Sequence, residues 1–200
     1  MTQEELNNII KLHQNWINGE EDGARADLSD ADLSDANLSV IYLNDANLYN
    51  TNLRNSNLRK ADLSYTYLSY ANLSDANLSY ANLSDANLSY ANLSDANLSD
   101  ANLSGANLTN TNLTNTTLNW VNWHEAYGLK VYVAGLQSSR ENAQLVYIPS
   151  LDIATTGCWQ DTWEATKKRV ASVYDEDDPI YKKYQLAFNY IEAQMKLDNL

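Results

Sequence analysis

The chain has 200 residues, of which 44% are hydrophobic, and a formal net charge of −13. This length fits one extended domain with attachments or two small domains. No apolar run approaches the roughly 20 residues of a membrane-spanning helix, and the acidic start carries no secretory signal. The acidity disfavours direct nucleic-acid binding, which needs a basic patch, but allows a basic protein partner. We therefore expect a cytoplasmic protein with no membrane or nucleic-acid partner.

The first predicted element is a helix over residues 2–17. Thr2 and Glu5 have the spacing of a capping box, and Asn18-Gly19 is a typical helix end. Residues 1–23 are thus predicted to be a capping helix and lead-in that cover the backbone edge of the next segment. Apolar positions follow at helical spacing, so we expect one face to be buried: Leu6, Ile9, Ile10, His13, Trp16 and Ile17. His13 has no second metal-ligating residue nearby and is interpreted as a packed core histidine.

A five-residue repeat occupies residues 24–123. A small residue, usually alanine, stands two positions before each leucine. A period of five fits neither a helix nor a flat strand, so the chain must turn a corner at each repeat, as a solenoid does. The 19 leucines at this period are the predicted structural core: Leu28, Leu33, Leu38, Leu43, Leu48, Leu53, Leu58, Leu63, Leu68, Leu73, Leu78, Leu83, Leu88, Leu93, Leu98, Leu103, Leu108, Leu113 and Leu118.

The tandem motif Ala-(Asp/Asn)-Leu-x-x resembles the pentapeptide-repeat family over residues 26–123. The resemblance implies an all-β solenoid, namely a right-handed quadrilateral β-helix with one pentapeptide per side and four per coil. It also implies that the leucine and the small residue point inward and that the other three positions point outward. It implies no single function, because one fold hosts several.

The position two residues after each leucine supplies a candidate interaction surface. Four repeats per coil would stack residues that are twenty apart, and Asp and Tyr alternate at this position in the most regular repeats. The candidate residues are Tyr70, Tyr80, Tyr90, Asp75, Asp85 and Asp95. A passive surface inherited from a duplicated unit is the favoured interpretation, since scattered surface aromatic residues are common. The near-identity of the repeats from Ala71 indicates either recent duplication or design.

Residues 124–200 break the repeat and are predicted to form a small α+β domain. We expect strands at 129–133, 144–148 and 153–156, with 138–142 as a connection, because apolar and polar residues alternate there. Helices are expected from 161 or 162 to about 174, and again from Asp178-Pro179. The apolar face of the last helix is predicted to be Ile180, Tyr184, Ala187, Phe188, Ile191 and Met195. Around Gly157-Cys158-Trp159 this part resembles the carboxy-terminal regions of some phage and prophage pentapeptide-repeat proteins.

The sequence offers no pattern typical of a catalytic, metal or cofactor site. Cys158, the single cysteine, and His124 are the only components of a nucleophilic dyad, and no motif connects them. The few histidines and the cysteine lack zinc-site spacing, and the acidic run at 175–178 is not a calcium loop. No glycine-rich nucleotide-binding motif occurs. We therefore predict a protein that is not an enzyme and takes no cofactor.

Two functions fit these observations. The first is a structural or protein–protein interaction module, in which the repeats are a rigid scaffold or spacer and the carboxy-terminal domain binds an unidentified protein partner. It would be a monomer, or a homodimer through one end of the repeats. The alternative, implied by the family resemblance, is an acidic DNA mimic that acts on a topoisomerase or gyrase. It ranks second because the ten Asp of residues 24–123 are offset by four basic residues, Arg25, Arg54, Arg59 and Lys60.

Overall fold

The computed structural model describes residues 1–136 and 144–198, in two compact units. The first unit contains Met1–Thr117 and Val121–Leu129, and the second contains Leu118–Trp120 and the chain from Lys130 onward. The connection predicted at 138–142 lies outside the described residues. None of the described helices is long and apolar enough to cross a bilayer.

Helix α1, Gln3–Ile17, opens the first unit with a capping box. The Thr2 hydroxyl accepts the Glu5 N–H at 3.2 Å, and the Glu5 carboxylate accepts the Thr2 N–H at 2.7 Å. Leu6 and His13 are buried. The expected burial of Trp16 is wrong, since 38% of it is exposed. Its ring stacks on His13 at a centroid distance of 5.4 Å, so it covers the histidine while remaining at the surface.

The repeats form coils of twenty residues, that is, four pentapeptides. Parallel β-bridges join residues twenty apart, from the Asp27–Asn47 pair to the Asn107–Tyr127 pair. Leu73 N–H donates to the Asn92 carbonyl at 2.7 Å, and Asn92 N–H donates to the Ala71 carbonyl at 2.9 Å. Because this pattern recurs at each level, every coil satisfies the backbone groups of its neighbours.

The interior of the coils is packed with leucine and small residues. All 19 repeat leucines are between 0 and 4% exposed, and Trp123, at the next leucine position, is 6% exposed. Thr51 occupies the inward position that is usually alanine. Its buried hydroxyl donates to the Leu28 carbonyl at 2.8 Å, so no polar group is left unsatisfied there. Full burial of each leucine is worth about 1.5–3 kcal/mol, so these leucines are the main source of apolar stabilisation in the unit.

The expectation that three positions of each repeat face water is wrong at three of the serines. Ser64, Ser74 and Ser79 are between 7 and 9% exposed. The Ser74 N–H and hydroxyl both donate to Asn72 Oδ1, at 3.2 and 2.9 Å. These local bonds hold the serine against the coil, whereas a larger residue at the same position, Tyr49, is 46% exposed.

The second unit is a four-stranded antiparallel sheet with two helices. Its strands are β1 Tyr132–Gly135, β2 Gln144–Ile148, β3 Ile153–Thr156 and β4 Trp159–Asp161, paired in that order, with a 3₁₀ turn at Pro149–Leu151. Helix α2 is Trp163–Val173 and helix α3 is Pro179–Asp198. Strand β1 starts three residues later than predicted, and β4 was not predicted because three polar or aromatic residues carry no alternation.

The core of this unit lies between the sheet and both helices. Leu145, Phe188 and Ile191 are at most 2% exposed, and Trp163 packs edge-to-face on Phe188 at 5.2 Å. The predicted apolar face of α3 is wrong at its start, since Ile180 is 39% exposed. Ile180 lies in the first turn of α3, whereas the buried residues of this helix begin at Ala187.

Candidate interaction surface

Every repeat turns its corner at the position two residues after leucine. There the backbone is left-handed, with φ between 53° and 63° at every non-glycine corner from Asp30 to Trp120, while Gly105 has φ 68°. Asn, Asp and Gly tolerate this region, whereas Val40 is strained in it. The tight corner directs the side chain outward, and Tyr70, Tyr80 and Tyr90 are accordingly 50 to 53% exposed. This constraint was not predicted from the sequence, although the abundance of Asn and Asp at every fifth position indicates it.

The three candidate tyrosines do not form one cluster. Tyr70 and Tyr90 stack on adjacent coils, with centroids 4.9 Å apart and rings within 2° of parallel, and Tyr49 meets Tyr70 edge-on at 5.7 Å. Tyr80 lies ten residues from each, half a coil away. Its partner is Arg59, whose guanidinium carbon lies 5.3 Å from the ring centroid. The aromatic surface is thus a short stack on one side and a cation–π pair on another.

The three candidate aspartates already have partners. Arg54 forms an ion pair with Asp75 at 3.2 Å, and Asn115 Nδ2 donates to Asp95 at 3.1 Å. The charge of Asp85, together with its hydrogen bond, raises the pKa of the Tyr65 hydroxyl. These contacts occur between successive coils, so the aspartates stabilise the packing of one coil on the next in addition to placing negative charge on the surface.

The position before each leucine forms side-chain ladders that run along the coils. On one side, Asn52 donates to Asp32 at 2.8 Å, and the ladder continues through Asn72 and Asn92 to Asn112. On another, Asn82 donates to Asp62 at 3.0 Å and Asn102 donates to Asn82 at 3.1 Å. Each amide donates to the coil before it and accepts from the coil after it, which explains why the repeat prefers Asn.

Aspartate occupies the start of three of these ladders. Asp27 and Asp32 accept from Asn47 and Asn52, and Asp62 follows Tyr42, which has no amide. A ladder start needs an acceptor only, and a carboxylate is acceptor-only. Hydrogen bonds from Ser29 and Ser34 lower the pKa of Asp27 and Asp32, respectively. Part of the negative charge of the repeats therefore has a structural role.

The residues considered for chemistry are dispersed along the surface of their own units. Cys158 is an exposed free cysteine, and the imidazole of His124 lies 3.9 Å from the carboxylate of its neighbour Glu125. Among residues 1–136 and 144–198, no three metal-ligating side chains cluster. The described surfaces are suited to binding through aromatic, apolar and charged contacts.

A groove with exposed apolar side chains, also lined by Lys183, occurs in the second unit and was not anticipated from the sequence. It has a volume of about 500 Å³ and lies between edge strand β1 and helix α3. Val133, Leu186 and Tyr190 are among its lining residues and are 37, 70 and 54% exposed. Leu186 and Tyr190 are four residues apart and share one helix face, while the predicted α3 face is the one that packs on the sheet.

Comparisons with known proteins find the same repeat in other sequences. The model of the family "Pentapeptide repeats" matches residues 24–59, 41–79, 56–93 and 81–119. Among solved structures, Rfr23 from the cyanobacterium Cyanothece 51142 is 44% identical, with 47% of this chain and 60% of that chain covered and a TM-score of 0.39. The protein alr5209 from Nostoc PCC 7120 is 33% identical, with 60 and 86% covered and a TM-score of 0.29. Both are described as pentapeptide repeat proteins.

A pentapeptide repeat protein of the Arabidopsis thaliana thylakoid lumen is 30% identical, with 50% of this chain and 67% of that chain covered and a TM-score of 0.39. The chain thus spans about three fifths of the length of Rfr23 and two thirds of the Arabidopsis protein. No curated protein matches the chain. On the repeat match and the 33% identity over most of alr5209, the chain belongs to the pentapeptide-repeat family.

Proposed function

We propose that the protein is a non-enzymatic, cytoplasmic protein–protein interaction module. The repeats, a right-handed quadrilateral β-helix in this proposal, act as a rigid scaffold, and the carboxy-terminal unit binds a protein partner. The observation that carries the proposal is the groove between β1 and α3, with Leu186 70% exposed and Tyr190 54% exposed. Large apolar side chains grouped at a surface groove are typical of interaction sites.

The chemistry of this groove favours an apolar, extended segment of the partner. Strand β1 is at the edge of the sheet, and an edge strand pairs readily with an added strand. The aromatic ring of Tyr190 and the side chain of Leu186 would then supply the apolar contacts that anchor such a segment. The repeats contrast with this groove, since their outward groups bond mainly to neighbouring coils.

The test is affinity capture from a lysate of the producing cells, with quantitative mass spectrometry of the captured proteins. Three full-length baits are compared: the wild type, Leu186→Glu with Tyr190→Ser, and Tyr70→Ser with Tyr80→Ser and Tyr90→Ser. The proposal expects a specific set of proteins to be lost with the α3 double variant and retained with the triple tyrosine variant. The reverse pattern would contradict it and would move the binding surface to the repeats.

The acidic DNA mimic remains the second candidate. One observation favours it: Asp35, Asp75 and Asp95 stand on the same side of the coils, at intervals of twenty or forty residues. Against it, Asp75 is neutralised by Arg54, and the side also contains Asn55 and Asn115. A gyrase supercoiling assay separates the two functions. The mimic requires inhibition that is lost on changing these aspartates to asparagine, and the scaffold predicts no inhibition.

A further inference from the structure

A small pocket in the second unit is a separate site, on different residues from the β1–α3 groove. It has a volume of about 160 Å³ and is lined by side chains of β3, β4, α2 and α3. Val170, Val173 and Tyr174 supply its apolar lining. An apolar cavity of about 150 Å³ is large enough to bind benzene, so the pocket has room for a ligand built on one six-membered ring.

Two polar groups at this pocket have no hydrogen-bond partner among the described residues. The hydroxyl of Thr166, a residue that is 0% exposed, and the indole Nε1–H of Trp159 are both buried and unpaired. An unsatisfied buried donor costs about 1–3 kcal/mol, so native proteins rarely leave two of them in the lining of one pocket. A ligand that accepts hydrogen bonds would satisfy both.

Arg169 supplies a positive charge at the same pocket. Its guanidinium carbon lies over the Trp159 ring, 3.9 Å from the centroid, and a guanidinium in such a contact still has N–H groups that can donate to a planar acceptor. In the described part of the chain, no carboxylate forms an ion pair with Arg169, whereas Lys167 on the same helix pairs with Glu164 and Glu192. No acidic side chain is among the described residues that line the pocket.

We propose that this pocket binds a small carboxylate with an apolar or aromatic body. Arg169 pairs with the carboxylate, because its fork of N–H groups matches two oxygens. Trp159 Nε1–H and the Thr166 hydroxyl donate to the ligand oxygens, and the body lies against Val170 and Tyr174. This site is independent of the proposed scaffold function and of the repeats.

The test is a titration of the full ¹⁵N-labelled chain with benzoate, followed by NMR. The protein has five tryptophans, so the Trp159 indole signal is identified by its absence in Trp159→Phe. We expect a saturable shift of this signal, with a dissociation constant on the order of a millimolar for so small a ligand. Benzamide, the uncharged analogue, should bind at least about tenfold more weakly, since a charge-assisted pair is lost.

Variants identify the groups responsible. Arg169→Gln should weaken benzoate binding about tenfold or more, and Thr166→Val about threefold to tenfold, while Thr166→Ser keeps the hydroxyl and the affinity. Lys168→Gln is the matched control, because Lys168 is an exposed cation adjacent to Arg169, and it should bind as the wild type. An unshifted Trp159 signal, equal binding of benzamide, or unchanged affinity in Arg169→Gln would each overturn the proposal.

Discussion

Nδ1 of His13 accepts a hydrogen bond of 3.1 Å from the backbone N–H of Ala26, the first inward alanine of the repeats. The same helix accepts a second bond, from Ala24 N–H to the Leu12 carbonyl at 3.0 Å. Gly23 lies between α1 and the first coil, where any Cβ would overlap the backbone of Trp16. The helix and the first coil are therefore joined by an imidazole, a carbonyl and a close backbone approach.

This geometry predicts a loss of stability at mildly acidic pH. Desolvation lowers the pKa of His13 below its ordinary value, and only the neutral ring can accept from Ala26. Between the folded-state pKa and about 6.5, the unfolded chain binds more protons than the folded one, so stability falls as the pH drops through this window. Thermal melts at pH 7.5 and 5.5 measure the effect.

Substitutions of the two histidines show which of them causes the pH dependence of stability. His13→Ala should lower stability at neutral pH by about 1–3 kcal/mol, because it leaves Ala26 N–H unpaired, and should reduce the pH dependence. His124 has a side chain that is 72% exposed, so His124→Ala should leave both unchanged. An equal pH dependence in wild type and His13→Ala would contradict this role.

The asparagine ladder predicts that a substitution inside a ladder destabilises the protein more than a substitution at its start. Asn102→Asp removes the donor to Asn82 Oδ1 and places a carboxylate against that acceptor, so we expect a loss of about 1–3 kcal/mol. Asp27→Asn keeps the oxygen that accepts from Asn47, so its cost should stay near 0.5 kcal/mol or less. Chemical denaturation of the two variants measures the difference, and equal losses would exclude a directional ladder.

The left-handed corners predict a stabilising surface substitution. Val40 has φ 61° and is 58% exposed, so its β-branched side chain adds strain and little packing. Val40→Asn should raise the free energy of unfolding by about 1 kcal/mol, while Gly105→Ala, whose Cβ would meet the Asp85 carboxylate, should lower it. Melting temperatures that move in the opposite directions would show that backbone strain at the corners does not reduce the stability of the protein.

The inward position of the leucines predicts a large loss of stability at Leu83 and a small one at the exposed corner residue Tyr80. Leu83 is 0% exposed, and Leu83→Ala should cost about 2–5 kcal/mol from lost burial and the cavity it leaves. Tyr80→Asn replaces an exposed corner residue with one suited to positive φ, at the cost of the contact with Arg59 worth about 0.5–1 kcal/mol. Comparable denaturation midpoints for the two variants would contradict the inward assignment of Leu83.

The structure could be predicted from the sequence where one residue type repeats. It was harder to predict where hydrogen bonds of short polar side chains determine the conformation. The period of five identified the leucines and hence the family, and Thr2 and Glu5 identified the start of α1. The corner conformation was missed because Tyr70 and Val40 obscure a preference that Asn50 and Asp30 express. The bonds of Asn to adjacent coils depend on the twenty-residue stacking, which no local pattern reveals.

The α+β unit was harder to predict for a different reason. Strand β4 is only three residues long and is defined by its pairing with β3, which local alternation does not encode. The groove and the pocket are lined by residues far apart in the chain, such as Trp159 and Tyr184 in the pocket. Their residues, including Arg169, carry no motif that singles them out.

The most direct test of the scaffold function is deletion of one whole coil, residues 76–95. Because stacked residues are twenty apart, the deletion joins Asp75 to Ala96 with every ladder and leucine still in register, and it removes Tyr80, Tyr90, Asp85 and Asp95. We predict a cooperative thermal melt and capture of the same partner proteins as the wild type. A cooperative melt with loss of those partners would contradict it, because the repeats would then be the binding surface.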